Sequence, residues 1–259
     1  MLAGLGVLAG LSGCIEVNQT VTVKKDGSGT IVDENVMGAQ MVAMMAGLGG
    51  GGAPGAPDPM AKMYDEGQYK AKAASYGEGV EYVKLEKVER NGGKGVKVHY
   101  KFADINKLSF EPGGGMDDMA GSLPGAGAAK PKKAPWKIAF ADGKLTIMTP
   151  DVPEGIEKPD IPEGAGEGIP PEAAAMFAGM RMTTTLVVEP GIKKTNATHV
   201  EGNKITLMDV KMDEVLKNPD ALKAMTGVDM KNRKAMEEAL KNVKGIKIET
   251  EKTIEIEMK

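Results

Sequence analysis

Residues 15–37 read IEVNQTVTVKKDGSGTIVDENVM, and this stretch decides the fold class. Ile15, Val17, Val21 and Val23 recur at period two, which places them on one face of an extended strand. Lys25-Asp26-Gly27-Ser28-Gly29 is a run of turn formers, and a second extended segment follows over about 30–37. Strand, turn and strand in that order mark a β-hairpin. The same grammar returns along the chain. Segments 80–89 and 96–102 flank Asn91-Gly92-Gly93, with Val96, Val98, Tyr100 and Phe102 on one face. Segments 136–140 and 145–148 flank Asp142-Gly143, and 198–209 turns at Glu201-Gly202-Asn203. Asn-Gly and Asp-Gly suit two-residue hairpin turns because both central positions need positive φ. Met180, Met182, Thr184, Leu186 and Val188 alternate as a further strand, ended by Pro190-Gly191. Ile246, Ile248, Ile254, Ile256 and Met258 alternate as the last one.

Helical signals lie between these hairpins. Segment 37–48 is uncharged and rich in Met and Ala, and is expected to be a short helix. Asp58 as N-cap and Pro59 at the first helical position predict a second helix to about Tyr76, with Met60, Met63, Tyr64, Ala71 and Ala74 inward. Two more are expected near Leu222 and Met225, and over 230–243 with Met236, Leu240 and Val243 inward and Gly245 as C-cap. Many hairpins with few helices predict an α+β fold, a twisted antiparallel sheet of hairpins with helices packed on one face and long Gly/Pro-rich loops. The last strand is expected to close that sheet against the first hairpin. The expected domain is 14–259, interrupted by flexible insertions near 49–57, 111–133 and 150–171. The last insertion reads as an acidic loop with an approximate repeat, DVPEGI at 151–156 and DIPEGA at 160–165.

Upstream of the hairpin, residues 1–14 read MLAGLGVLAGLSGC, apolar and without charge. That is too short to span a bilayer and has the length of a signal-peptide core. Its end, Leu11-Ser12-Gly13-Cys14, resembles the lipobox of bacterial lipoprotein signals. The resemblance implies removal of 1–13, attachment of diacylglycerol to the Cys14 thiol, and acylation of the new amine, typically with palmitate. No Lys or Arg precedes Lys24, so the true start is expected further upstream. Ile15 after the cysteine, rather than Asp, points to the outer membrane facing the periplasm. Cys14 is the only cysteine, so no disulfide is available.

Composition narrows the function classes. A net charge of −3 with mixed signs argues against nucleic-acid binding and against polybasic attachment to membranes. With aromatics at 4%, the core must come from Val, Ile, Leu, Ala and Met. Catalytic signatures are missing. Asp26-x-Ser28 begins like a calcium loop, but its sixth position is Ile31 and its twelfth Met37, where Gly and Glu are needed. Gly47-x-Gly49-x-x-Gly52 follows a Met-rich stretch rather than a strand, and no Gly-x-Ser-x-Gly elbow occurs. His99 and His199 stand alone on predicted strands, and Asp117-Asp118 sits in a Gly-rich segment. No enzyme activity, cofactor or metal is therefore expected.

Methionine is the one excess, at 19 residues. The spacings Met41-x-x-Met44, Met60-x-x-Met63 and Met116-x-x-Met119 could pair thioethers as soft copper(I) ligands. The plainer reading is flexible core filling, and the same flexibility suits an adaptable apolar pocket. Met41, Met44, Met45, Met60 and Met63 are the candidate ligand-binding residues.

Cys14, the alternating strand, Lys25-Asp26-Gly27-Ser28-Gly29 and Glu201-Gly202-Asn203-Lys204-Ile205-Thr206-Leu207 together resemble a group of uncharacterised bacterial lipoproteins. More distantly, the layout is similar to the mycobacterial LppM-like lipoprotein domain. That resemblance implies an α+β fold and a role in binding lipids or glycolipids at the envelope. LppM-like proteins tend to carry a C-terminal membrane helix, where this chain has the charged alternation 249–259. The expected function is a non-catalytic, membrane-anchored lipoprotein binding a lipid or other hydrophobic ligand at the cell envelope. The alternative is a structural or assembly lipoprotein docking an envelope protein partner.

Overall fold

The computed structural model describes residues 15–48, 61–109, 136–149, 179–218, 235, 238–239 and 243–259. The expected signal segment, Cys14, Met60 and the three expected insertions lie wholly or almost wholly outside these residues, as do most of the expected helices after 218.

The first hairpin forms as its alternation requires. Strand β1 (Ile15–Val23) pairs antiparallel with β2 (Gly29–Met37), from Val23 opposite Gly29 to Ile15 opposite Met37. In the turn, Asp26 accepts from the Ser28 backbone N–H at 3.0 Å and its hydroxyl at 2.7 Å, and Gly27 takes φ +82°. A Cβ at Gly27 would also lie 2.8 Å from Cδ1 of Phe140, so only glycine fits. Strands β3 (Glu81–Arg90) and β4 (Gly93–Phe102) turn at Asn91 and Gly92, with φ of 51° and 76°. Strands β5 (Lys137–Ala141) and β6 (Lys144–Met148) turn at Asp142 and Gly143, with φ of 49° and 72°. After β7 (Arg181–Val188) come β8 (Ile192–Thr195), β9 (Val200–Glu201), β10 (Lys204–Lys211), β11 (Ile246–Ile248) and β12 (Thr253–Met258). Helix α1 (Ala39–Leu48) follows β2, α2 (Glu66–Lys72) precedes β3, and α3 (Met212–Leu216) follows β10.

Two sheets result, not one. The larger runs β11-β10-β7-β1-β2-β4-β3, with β9 paired to β10, and the smaller runs β5-β6-β12-β8. The larger sheet is mixed rather than purely antiparallel, because β1 and β7 run parallel, from Glu16 opposite Arg181 to Val23 opposite Val188. The expected last strand is split. Its first part, β11, joins the larger sheet, and its second part, β12, joins the smaller one between β6 and β8 instead of meeting the first hairpin. Glu249 sits at the crossing. Its buried carboxylate accepts from the Thr198 N–H at 2.8 Å, the Thr198 hydroxyl at 3.1 Å and the Glu251 N–H at 3.1 Å. Those bonds hold the chain as it leaves one sheet for the other.

The expected helix before β3 is also corrected. Within the described part it is a 3-10 turn at Lys62–Tyr64, then α2, then a second 3-10 turn at Ala73–Tyr76. Asp65 caps α2, accepting from the Gly67 N–H at 2.8 Å. Ala73 and Tyr76 are buried, whereas Ala71 and Ala74 are exposed.

The two sheets share one core. Val21, Val23, Ile31, Phe102, Leu186, Val188, Ile205 and Leu207 of the larger sheet meet Leu145, Ile147, Ile254, Ile256 and Met258 of the smaller. Each such side chain contributes about 1.5–3 kcal/mol on burial. The smaller sheet therefore covers one end of the larger sheet's inner face. The segment from Ala73 to Val80 packs over Tyr100, and α3 covers the β10–β11 edge through Met212 and Val215 against Val210 and Ile246.

Candidate functional site

Pairing register aligns the inner face of the larger sheet into rows. One row, Tyr82–Tyr100–Ile31–Val21–Leu186–Ile205, is apolar but for its tyrosine hydroxyls and faces the shared core. The next, Leu85–Val98–Asp33–Gln19–Thr184–Met208, has three polar side chains at its centre. Asn35 lies one step further along β2, opposite Val17. Asp33, Gln19 and Asn35 are 4%, 4% and 8% exposed, and Thr184 is fully buried.

Asp33 is the hub of this row. Gln19 Nε2 donates to its Oδ1 at 3.1 Å, Lys72 Nζ to its Oδ2 at 3.2 Å, and the Tyr76 hydroxyl also donates to Oδ2. Lys72 and Tyr76 come from α2 and the turn behind it, so this ion pair fastens that segment to the sheet. Lys72 Nζ also lies 5.1 Å from the centre of the Tyr76 ring, and that ring stands edge-on to Tyr100 at 5.1 Å. Burial holds the Tyr100 hydroxyl well above the usual tyrosine range, so it stays protonated. Among the described residues three buried polar atoms here have no hydrogen-bond partner: Gln19 Oε1, Asn35 Oδ1 and the Tyr100 hydroxyl. Because Gln19 gives its N–H to Asp33, its Oε1 stays a bare acceptor.

Two residues beyond Asn35 on the same face, about 7 Å along the strand, Met37 begins an apolar cluster. Met37 and Met41 are buried there, with Ile15, Val42, Met45, Met63 and Tyr64 packed against them. Helix α1 starts directly after β2, with the Val42 N–H bonding to the Gly38 carbonyl at 3.0 Å, and so folds back over the end of the hairpin. Met63 and Tyr64 also pack on the main core, which joins the methionine cluster to the Tyr76–Tyr100 side of the polar row.

The structure thus separates the methionines that the sequence grouped. Met41, Met45 and Met63 come together, while Met44 points outward at 47% exposed. Met41 and Met44 therefore lie on different sides of α1. Met60, Met116, Met119 and Cys14 lie outside the described residues. Asp33, Asn35 and Gln19 are the residues sequence reasoning passed over. Their signal was present, since Gln19 occupies the period-two position between Val17 and Val21, and Asp33 and Asn35 lie between Ile31 and Met37.

Elsewhere, a cavity of about 450 Å³ opens beside β10 and β11, walled by His199, Asp209, Lys211, Glu214 and Lys247. Both carboxylates of that wall are engaged, Asp209 by Arg181 at 3.1 Å and the Thr183 hydroxyl at 3.3 Å, and Glu214 by Lys211 at 3.4 Å. His99 lies on the outer face with Nε2 3.4 Å from Glu86, and burial lowers its pKa. Among the described residues no group of three or more His, Cys, Asp or Glu side chains could hold a metal ion. No described helix is long and apolar enough to cross a membrane.

No protein-family profile and no curated protein matches the chain. Among solved structures, it is similar to the folded domain of the Mycobacterium tuberculosis LppM protein, determined by NMR. The likeness is distant, with 8% identity over 81% of this chain and 90% of that one, at a TM-score of 0.34.

Proposed function

We propose that this chain is a non-catalytic lipoprotein of the bacterial cell envelope, anchored through Cys14. In this reading it binds an apolar ligand with a hydrogen-bond-donating head at the inner face beneath α1. One observation carries it: two buried amide acceptors have no partner among the described residues, Asn35 Oδ1 one same-face step from Met37 and Gln19 Oε1 one step further. Leaving a buried acceptor unpaired costs about 1–3 kcal/mol, which a hydroxyl or amine on a ligand would recover. Each methylene the ligand buries against the cluster adds about 0.8 kcal/mol. Unbranched methionines can repack around such a guest at little cost. The outer-membrane location expected from Ile15 belongs to the same proposal.

The test is native mass spectrometry of the full chain, released from detergent after exposure to phosphatidylethanolamine and phosphatidylglycerol. A non-covalent lipid mass is expected on the wild type, and less of it on Asn35→Leu with an unchanged circular dichroism spectrum. Met44→Lys, on the outer side of α1, should retain it. A wild-type spectrum free of bound lipid would overturn the reading.

A further inference from the structure

Helix α1 has two unlike sides. Met41, Val42 and Met45 turn toward the sheet, in the cluster with Met37 and Ile15. Gln40, Ala43, Met44 and Gly47, spaced as one helical stripe, form the opposite side and are all exposed. That stripe carries no charge. Indeed, no charged residue occurs anywhere between Glu34 and Asp58. A helix on the surface of a soluble protein normally shows charged residues to water, and one that is apolar all round is buried in protein or meets lipid. Met44 is 47% exposed, so no described part of this chain covers this side. Crossing a bilayer is ruled out by length, since the 10 residues of α1 span about 15 Å against a hydrocarbon core of about 30 Å. Lying on a bilayer is the contact that the neighbouring anchor favours.

Position identifies that bilayer. Ile15 is opposite Met37 at the end of the first hairpin and packs in the same cluster as Met41 and Met45. Cys14 is the residue directly before it, one peptide unit of about 3.8 Å away. The acyl attachment point and α1 therefore share one end of the molecule. We propose that the outer stripe of α1, centred on Met44, rests in the interfacial layer of the bilayer that holds the acyl chains of Cys14. This rests on the anchoring reading above and adds a second, non-covalent membrane contact to it. It also places α1 between the bilayer and the methionine cluster, so a lipid entering beneath α1 need not cross water.

The single cysteine of the chain makes the test direct. The full chain, produced in a lipoprotein-processing bacterium, is reconstituted into phosphatidylethanolamine–phosphatidylglycerol vesicles as wild type, Met44→Cys and Val83→Cys. Each is treated with a thiol-reactive nitroxide. Val83, 49% exposed on the edge strand β3, is the control. The expected result is no labelling of the wild type, because Cys14 is a thioether. The label at position 44 should be relaxed more by oxygen than by a water-soluble nickel chelate, and the label at 83 the reverse. A label at 44 as open to the nickel chelate as the label at 83, with the wild type still unlabelled, overturns the membrane contact while the anchor stands. Labelling of the wild type shows a free Cys14, and then the anchor and this proposal both fall.

Discussion

Replacing Asp33 by alanine removes the acceptor that three side chains share, and its consequence can be sized from the geometry. The carboxylate is 4% exposed and receives Gln19, Lys72 and Tyr76. Deleting one member of a buried ion pair costs about 3–5 kcal/mol, because the remaining charge is left without compensation. The Lys72 side chain is 15% exposed and regains part of its hydration, which favours the lower end. Tyr76 and Gln19 lose their acceptor as well, and that pushes the cost back up. A loss near 4 kcal/mol follows, and with a urea dependence of about 2 kcal/mol per molar the midpoint should fall by about 2 M. Equilibrium urea unfolding of the full chain can be read from Trp136, the one tryptophan, which packs on the shared core. Adding Lys72→Met should return a large part of the loss, since no buried charge is then left unpaired. A midpoint within about 0.5 M of wild type, or a double variant whose losses simply add, would refute the role of Asp33 as the hub that fastens α2 to the sheet.

The remaining expectations concern the first turn and the outer face. Gly27→Ala combines a positive φ with a Cβ 2.8 Å from the Phe140 ring, and should cost about 1–3 kcal/mol; a melting temperature equal to wild type would mean that the turn relaxes freely. Burial holds the His99 pKa below its ordinary value near 6.5, against the opposing pull of Glu86, so the unfolded chain binds this proton more readily than the native one. The stability linked to His99 is therefore complete above about pH 6.5 and is lost as pH falls through that value toward the depressed native one. His99→Gln should flatten the slope of melting temperature between about pH 5 and 7, and an unchanged slope would remove His99 from the account.

Much of the local structure was legible because it rests on local chemistry. Ile15, Val17, Val21 and Val23 declare a strand by alternation alone, and Asn91-Gly92 and Asp142-Gly143 declare their turns because few other pairs accept two positive φ values. Where the signal was ambiguous, tertiary contacts chose. Asp58-Pro59 predicts a single helix to about Tyr76, and within the described residues Asp65 caps a short α2, whose following turn is placed by Tyr76 reaching Asp33. The alternation from Ile246 to Met258 reads as one strand, and Glu249 divides it by turning its carboxylate toward Thr198.

The polar row shows the same limit from the functional side. Period-two alternation marks Gln19, Asp33 and Asn35 as inner-face positions, and nothing along the chain states what stands opposite them. Lys72 and Tyr76 are 39 and 43 residues from Asp33 and meet it only through tertiary packing. The parallel pairing of β1 with β7 is likewise silent in the sequence, because alternation encodes which face is buried and not the direction of the neighbouring strand. Covalent character, turn chemistry and face are written residue by residue: the single cysteine, the uncharged run from 35 to 57, the Gly-containing turns and the inward valines. Partner strands, the division of the chain between two sheets, and the split of Met41 from Met44 depend on contacts between distant segments, which exist only once the chain has packed.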